Sequence, residues 1–476
     1  MISSERVFSI FKQLNQIPRP SHHEGGVADF LCQFAENLKL DYQRDSENCV
    51  VIRKPASPGH EEAEPVVLLN HMDMVCVGMA DPLHTPIESY TENGWLKARG
   101  TSLGADNGIG LSMALAVLES DAIVHGPLEV ITTTNEEDGM SGAANLSPDF
   151  LLGRKVINLD SEDYDTITTG AAGACLQFHR IPIVWQSAEP MSHSWFRISF
   201  HGGLGGHSGV DINKGRASAT VLACRLLTKL LESYDMDVAS FHAGEANASI
   251  ASSAEMVVGV RTMSATSFIE NQVDYMNQWL KGHYGQTDSG IRCTVETCDV
   301  QPFVADEPSV NALLYCLGHI PQGVVRMSPV MDNTVETSNN IGRISTEADH
   351  FFVSTHTRSF IGDDMATLSH QISQTFTDHG ATSEVVMSAP AWQENQQSDF
   401  LRLTSDTFLD VLGWRPRMVA MHFVLEAGFF VQKYPGIEMA SIGPRIVEPH
   451  SASERVELST VEDIWQVLVE LLRRLA

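Results

Sequence analysis

Short apolar runs that end close to an acidic or imidazole side chain constrain this chain more than any other feature of its sequence. The runs EPVVLLNH, LEVITTT and RKVINLD are rich in Val, Ile and Leu, which is typical of strands buried on both faces. A helical pattern, NGIGLSMALAVLES, lies between the first two runs. Strands that alternate with helices predict an α/β fold with a mostly parallel sheet flanked by helices.

Side chains with metal-binding chemistry stand where these strands are expected to end. His71 closes the first run, Glu136 and Glu137 follow the second, and Asp160 belongs to the third. Ligands of such sheets gather at the carboxyl ends of the strands. Three further candidates come from loops and from a glycine-rich segment: Asp73, Asp106 and His450. Two divalent ions held by imidazoles and carboxylates can activate water and polarise a carbonyl, which is the chemistry of amide hydrolysis.

Each candidate also has an ordinary structural explanation. Asp106 opens a helix after a glycine-rich turn, where aspartate commonly caps the first turn. The Glu136–Glu137 pair suits the charged edge of a sheet, and Asp160 suits a turn. Taken singly, these explanations are as good as the functional ones. Several such residues occur in turn at the ends of predicted strands, and this repetition favours one common site.

The pattern of apolar and polar residues changes near residue 186. From there, WFRISFHG alternates like a half-exposed strand, and strands and helices of an α+β domain continue to about residue 388. The α/β pattern then returns, and the chain ends in a helix. We place the start of that helix at a capping box formed by Ser459 and Glu462. We therefore predict a discontinuous catalytic domain, residues 1–185 and 389–476, with an inserted domain over residues 186–388.

The overall composition excludes several classes of protein. The formal net charge is −29, which argues against nucleic-acid binding because phosphates need Lys and Arg partners. No apolar stretch is long enough to span a bilayer, and MISSERVFSIFKQLNQ has no apolar signal-peptide core. The eight cysteines lack CxxC spacing, which indicates free thiols in a reducing compartment. We expect a cytoplasmic protein that binds neither nucleic acid nor membrane.

Six segments of the sequence, in the order in which they occur, resemble the motifs of a known protein family. They are LLNHMDMV, GTSLGADNGIG, TTTNEEDGMSGA, INLDSED, GGLGGHSGVDI and SIGPRIVEPHSASERV. Together they resemble the M20 metallopeptidase family, and within it the branch of cytosolic aminoacyl-histidine dipeptidases. The resemblance extends from IPRPSHHE near the N-terminus to the terminal helix. It implies a zinc-peptidase catalytic domain whose inserted domain is a lid.

The resemblance also implies a role for each candidate ligand. Asp106 would bridge two zinc ions, for which Co²⁺ or Mn²⁺ could substitute. His71 and Asp160 would complete one ion's ligands, and Glu137 and His450 those of the other. The same resemblance implies a cis peptide bond between Asp106 and Asn107.

Two neighbouring acids would assist without binding a metal directly. Asp73 would accept a hydrogen bond from the non-coordinating nitrogen of His71 and so fix its orientation. Glu136 would be the general base, which takes a proton from the attacking water and passes it to the leaving amine.

The inserted domain would supply substrate contacts. His207, in GGLGGHSG, would donate to the tetrahedral oxyanion, either within one chain or from a partner subunit; a surface histidine in a flexible loop is the ordinary alternative. Arg358, in HTRSF, would bind the substrate's terminal carboxylate rather than form a surface salt bridge. Asn333 is a further candidate for the same pocket.

The function implied by the resemblance is hydrolysis of unblocked dipeptides, preferentially Xaa-His dipeptides of the β-alanyl-histidine type. Substrate would bind between the catalytic domain and the lid, and the lid would also join two chains in a homodimer. A hydrolase of N-acyl amino acids would share every metal residue and is the alternative. A non-catalytic peptide-binding protein is disfavoured by Glu136, because a binder needs no general base. The family's usual residues are replaced at Asn70 and Ala427, so substrate preference stays open.

Overall fold

A computed structural model of the chain describes residues 3–188, 194–395 and 397–476. The chain divides into two units with separate hydrophobic cores. The first unit comprises Met1–Gly170, Gln393–Ala420 and Glu426–Ala476, and the second comprises Ala171–Trp392 and Met421–Leu425. Among the described residues, no helix has the length and apolar character needed to cross a membrane.

The first unit is built on an eight-stranded sheet. In spatial order its strands are β1 (Asp41–Arg44), β2 (Val50–Lys54), β6 (Leu128–Thr133), β3 (Val66–His71), β7 (Lys155–Asn158), β21 (Glu438–Ser441), β8 (Thr166–Ala171) and β20 (Arg417–Met421). A smaller sheet contains β22 (Ile446–Val447), β23 (Arg455–Glu457), β5 (Trp95–Ala98) and β4 (Ser89–Glu92). The helices are α1 (Glu5–Leu14), α2 (Gly25–Leu38), α3 (Ala105–Glu119), α4 (Ser141–Asn145), α9 (Asp399–Leu412), α10 (Ala427–Lys433) and α11 (Leu458–Leu475).

The three apolar runs of the sequence form neighbouring parallel strands at the centre of the larger sheet. Strand β3 lies between β6 and β7, and β7 pairs in parallel with β21. Every residue of β3 and β6 is buried, as expected where helices cover both faces of a sheet. Strands β1 and β2 continue the sheet in antiparallel pairing at one edge. The α/β prediction with a mostly parallel centre is confirmed.

Two helices of the first unit show where sequence patterns succeed and fail. Helix α3 is buried from Asn107 to Leu118, as the apolar pattern predicts. The predicted capping box of α11 is wrong, because the helix begins at Leu458 and Ser459 already lies inside it. The Ser459 hydroxyl donates to the Glu457 side chain instead of capping.

The second unit is an α+β unit with an eleven-stranded sheet. Its main path runs β14 (Arg292–Thr297), β11 (Ser194–His201), β13 (Ala254–Val260), β12 (Met236–Ala243), β17 (Val335–Thr346), β18 (His350–Ser359), β9 (Gly173–Pro182) and β19 (Thr382–Ala389). Off this path lie β10 (Trp185–Ser187), β15 (Phe303–Ala305) and β16 (Gly323–Met327). Its helices are α5 (Ala219–Leu231), α6 (Met263–Tyr284), α7 (Glu307–His319) and α8 (Gly362–Thr377).

The structural division differs from the sequence-based boundaries of 185/186 and 388/389. It falls at 170/171 and 392/393, and residues 421–425 return to the second unit. The first shift has a clear cause: β9 pairs residue by residue with β18, from Gly173 opposite Ser359 to Pro182 opposite His350. Composition does not change until after β9, so the sequence pattern did not reveal this pairing.

Candidate metal centre

The centre of the first unit lies at the carboxyl ends of its parallel strands. His71 is the last residue of β3, and Glu136 and Glu137 follow the end of β6 after a short loop. Asp160 stands two residues beyond the end of β7. Because these strands are neighbours and run parallel, their ends meet at one edge of the sheet.

One group of possible metal ligands consists of His71, Asp106 and Asp160. The Nε2 atom of His71 lies 3.0 Å from Asp106 Oδ1 and 3.1 Å from Asp160 Oδ1. Asn107 donates from Nδ2 to the Asp160 side chain and to the Leu159 carbonyl, and so holds Asp160 in this position. The Asp106–Asn107 peptide bond is cis, as the resemblance implies.

A second group consists of Asp106, Glu137 and His450. The Nε2 atom of His450 lies 3.1 Å from Asp106 Oδ2 and 2.9 Å from Glu137 Oε2. Within each group, one ligand atom per residue lies within 4.8 Å of the others. The two groups therefore share Asp106, one of whose oxygens faces each imidazole.

The electrostatics of this centre favour the binding of additional positive charge. Burial raises the pKa of Glu137 and of Asp160 above the usual values. Burial alone would lower the pKa of His71, but Asp160 and Asp106 raise it well above its ordinary value. Hydrogen bonds to Asp106 and Glu137 raise the pKa of His450 to about 11. Carboxylates packed this closely are stable only with cations or protons among them.

The donor set fits divalent cations. No described residue donates a hydrogen bond to Glu137 Oε1, a buried carboxylate oxygen that a cation would satisfy. Imidazole nitrogens combined with carboxylate oxygens suit zinc and related ions. The structure thus brings all five predicted ligands into two groups able to hold a metal ion.

Asp73 holds the parts of the centre together. Its Oδ1 lies 3.5 Å from His71 Nδ1, on the side of the ring away from the other carboxylates. The main-chain N–H groups of Glu136 and Glu137 donate to its two oxygens over 3.1 and 3.2 Å, and the Ser21 hydroxyl donates over 2.8 Å. Asp73 therefore holds the Glu136–Glu137 main chain beside the His71 imidazole, a contact that the sequence did not predict.

Glu136 is a carboxylate whose surroundings disfavour its charged form. Burial raises its pKa well above the ordinary value, while His71 opposes that effect and Asp160, Glu426 and Glu137 add to it. A carboxylate with a raised pKa is a stronger base than an ordinary carboxylate.

Three buried charged residues near the centre were not given roles from the sequence. Glu426 accepts from the Thr133 hydroxyl over 2.7 Å, and burial raises its pKa to about 8. Arg19 and Glu454 both hydrogen-bond to the main chain that precedes Asp106. Glu454 stands four residues after His450 and Arg19 lies in the IPRPSHHE segment, so only their nearness to known motifs could have drawn attention to them.

The second unit contains a separate cluster around His207 and Arg358. The N–H groups of Gly209 and Val210 donate to His207 Nδ1 over 3.2 and 3.1 Å, so the ring proton of the neutral imidazole is on Nε2. Arg358 is 3% exposed, donates to the Ser208 hydroxyl over 3.4 Å, and has no carboxylate partner among the described residues.

Two further histidines belong to this cluster. Burial, together with nearby Arg358 and His207, lowers the pKa of His356 and of His422 to about 3, so both rings are neutral. Neither ring nitrogen of His356 has a hydrogen-bond partner among the described residues. Asn333 is exposed in a turn of this unit at φ 55°, and its carbonyl accepts from Asn213. Its predicted role in substrate binding stays a prediction.

Comparisons with known proteins match most or all of the chain. The family model described as "Peptidase family M20/M25/M40" matches residues 67–474. A curated relative, the cytosol non-specific dipeptidase of Escherichia coli, is 32% identical over 100% of this chain and 98% of its own length. The crystal structure of an aminoacylhistidine dipeptidase from Vibrio alginolyticus matches with a TM-score of 0.94 and 32% identity, over 100% of this chain and 97% of that one.

A more distant structure shares the fold alone. It is an aminopeptidase from Bacillus cereus, which is 16% identical and matches with a TM-score of 0.62 over 100% of this chain and 99% of its own. The fold is therefore also found in a protein of low sequence identity.

Proposed function

The chain belongs to peptidase family M20/M25/M40, and on that premise we propose that it is a dipeptidase that works with two zinc ions. The observation that carries the proposal is the position of Asp106, with one carboxylate oxygen facing His71 and the other facing His450. A carboxylate shared by two groups of ligands suits a pair of cations. The relatives named as dipeptidases support the substrate class.

The residues that would hold the ions follow from the two groups. His71 and Asp160 would hold one ion, Glu137 and His450 the other, and Asp106 both. Divalent ions held in this way acidify water and polarise the carbonyl of the peptide bond. Cobalt or manganese would fit the same mixture of donors.

The chain's own acids and bases would move the proton. The Glu136 carboxylate would take a proton from the attacking water and release it to the nitrogen of the leaving amino acid. Asp73 would keep Glu136 in place, because it accepts the N–H group of that residue.

Residues of the second unit would recognise the substrate. His207 has its proton on Nε2, because Nδ1 accepts two main-chain N–H groups, and this N–H would donate to the oxyanion as it forms. Arg358 would pair with the terminal carboxylate of the dipeptide, since a buried guanidinium needs an anion and no described residue supplies one.

A substrate panel tests this function. Zinc-loaded protein would be assayed with Xaa-His dipeptides, other free dipeptides, their N-acetylated forms, N-acyl amino acids and tripeptides. We expect free dipeptides to be cleaved, with the highest kcat/KM for Xaa-His. Preferred hydrolysis of N-acyl amino acids would indicate a deacylase instead of a dipeptidase. No hydrolysis of any of these amides would overturn the proposal.

We further propose a homodimer in the cytoplasm, joined through the second unit. All eight cysteines are unpaired, which suits a reducing compartment, and one relative is named a cytosol dipeptidase. Strands β16 and β19 expose apolar side chains, including Val325 and Val386, and exposed apolar strands favour pairing with another chain. Sedimentation measurements at several concentrations would test this, and a monomer throughout would contradict it.

A further inference from the structure

The Glu454 carboxylate occupies an unusual place at the start of α3. Its Oε2 accepts the main-chain N–H groups of Leu103 and Gly104 over 2.7 and 2.9 Å. Its Oε1 accepts those of Ala105 and Asp106 over 2.7 and 3.3 Å. The first N–H groups of a helix lack partners within the helix. One buried acid from a distant part of the chain therefore serves four consecutive N–H groups.

This arrangement explains why Asp106 is not used as a helix cap. Aspartate at the start of a helix ordinarily accepts these N–H groups with its own side chain. Here the residue at the cap position, Gly104, has no capping side chain, and Glu454 performs that function. Both carboxylate oxygens of Asp106 consequently remain free to face His71 and His450.

Arg19 holds the same segment from its other side. Its guanidinium donates to the Gly104 carbonyl over 2.6 Å and to the carbonyls of Met72 and Asp73 over 3.2 and 3.3 Å. Arg19 is 1% exposed, so these contacts are shielded from water. A side chain at Gly104 would collide with Arg19 Nη2 at 2.5 Å, which shows how closely the segment packs on the guanidinium. Arg19 thus ties the main chain before Asp106 to the segment that carries Asp73.

We propose that Glu454 and Arg19 are positioning residues of the metal centre, which hold the Leu103–Asp106 main chain so that the Asp106 carboxylate can serve both ions. Glu454 lies only four residues after His450, so one segment delivers a ligand and also orients the shared carboxylate. Because Asp106 belongs to both groups, loss of this support must weaken both ions together. The inference rests on the proposed two-ion centre but not on dipeptide cleavage.

The test compares Glu454→Gln with a matched control, Glu129→Gln. Glu129 is also a buried acid of the first unit that accepts main-chain N–H groups, from Leu152 and Gly153, both over 2.8 Å. It stands near the start of β6, at the opposite end of the strand from the centre. Zinc affinity of each metal-free variant would be measured by competition with a chromophoric chelator, together with its unfolding temperature.

We expect Glu454→Gln to weaken both zinc ions by about 10–100-fold, because an amide cannot accept the N–H groups that face its nitrogen. Glu129→Gln should lower the unfolding temperature but leave both affinities unchanged. Parent-like affinity in Glu454→Gln, with only a lower unfolding temperature, would overturn the proposal.

A second variant covers the case in which Glu454→Gln does not fold. Arg19→Lys keeps the charge but cannot reach three carbonyls with one ammonium group, so both zinc affinities should again fall together. Unchanged affinities in a folded Arg19→Lys, or loss of one ion alone, would also overturn the proposal. Parent protein that binds two zinc ions but cleaves no dipeptide would refute the proposed function and leave this inference intact.

Discussion

The two units differ in the charge that they bury: the first holds a cluster of carboxylates around two imidazoles, and the second holds a guanidinium without a described acidic partner. In the first unit, Asp106, Glu137 and Asp160 lie beside two imidazoles, and Glu137 Oε1 has no donor among the described residues. In the second unit, Arg358 is buried beside the neutral His356 and His422 and has no acidic partner among the described residues. Burial lowers the pKa of that guanidinium to about 10.

This contrast separates two kinds of recognition. A buried acidic cluster is stabilised by small cations, which approach closely and satisfy several oxygens at once. A buried guanidinium with a planar fork is stabilised by a carboxylate. The first unit therefore has the chemistry for a metal-dependent reaction, and the second has the chemistry for holding an anionic substrate.

Removal of divalent cations should produce the largest effect and bear only on the first unit. Chelation should abolish dipeptide hydrolysis, because the carboxylates alone cannot polarise the peptide carbonyl. Addition of zinc should restore it, with close to two equivalents per chain at saturation, as elemental analysis can show. Full activity with a single bound ion would contradict the shared role of Asp106.

The second prediction separates the two neighbouring glutamates of the first unit. Glu136→Gln should retain both ions and substrate affinity but lower kcat by ~10²–10⁴, because it removes only the base. Glu137→Gln should instead weaken zinc binding, since it changes a ligand. Kinetics and metal analysis of both variants decide the assignment. Zinc loss in Glu136→Gln with retention in Glu137→Gln would require the two roles to be exchanged.

The same contrast explains what the sequence could reveal. His71, Glu137 and Asp160 follow buried parallel strands, and strand periodicity alone places them at one sheet edge. Asp106 and His450 come from loops, and only the family motifs connected them to that edge. Glu454 and Arg19 were not predicted, because their hydrogen-bond partners are main-chain groups. Such contacts leave no pattern in the types of side chain along the sequence.

The second unit was harder to predict, because its cluster follows no periodicity. Arg358 stands within an antiparallel strand and His207 in a glycine-rich loop, and only the fold shows that His356 and His422 join them. The domain boundary was missed for a related reason: the pairing of β9 with β18 joins segments far apart in sequence. Local composition carries no signal of such a pairing.

The third prediction tests the anion-binding role of the second unit. Arg358→Met should raise KM for dipeptides and lower kcat/KM by about 10–100-fold, the scale of a hydrogen bond to a charged group. Zinc content should not change, because Arg358 belongs to neither group of ligands. Arg343→Met is the control, since that arginine stands in the same sheet but lies over the Phe352 ring at 5.3 Å and is exposed. Equal kinetics for both variants would remove Arg358 from the substrate site.

The smallest effect concerns the acid stability of the second unit. Burial lowers the pKa of His179, His356 and His422 to about 3 each, against ~6.5 in an unfolded chain. Below ~6.5 the unfolded state binds more protons, so their stabilising contribution is complete above that pH and is lost as pH falls towards 3. Each ring costs about 1.4 kcal/mol per pH unit in that window, or roughly 2 kcal/mol by pH 5.

His179 offers the cleanest variant, because it lies away from the Arg358 cluster, between the Ser383 and Thr355 hydroxyls, with its ring stacked on Phe376. His179→Gln should lose about 2 kcal/mol less unfolding free energy than the parent between pH 7 and pH 5, since one proton-binding site is absent from the unfolded chain. Hydrogen exchange of amides in β9 and β18 would report on this unit alone. Replacement of the exposed His370 should leave the parent's pH dependence unchanged. If His179→Gln and the parent lost stability in parallel, neutral buried histidines would not be the source of acid sensitivity in this unit.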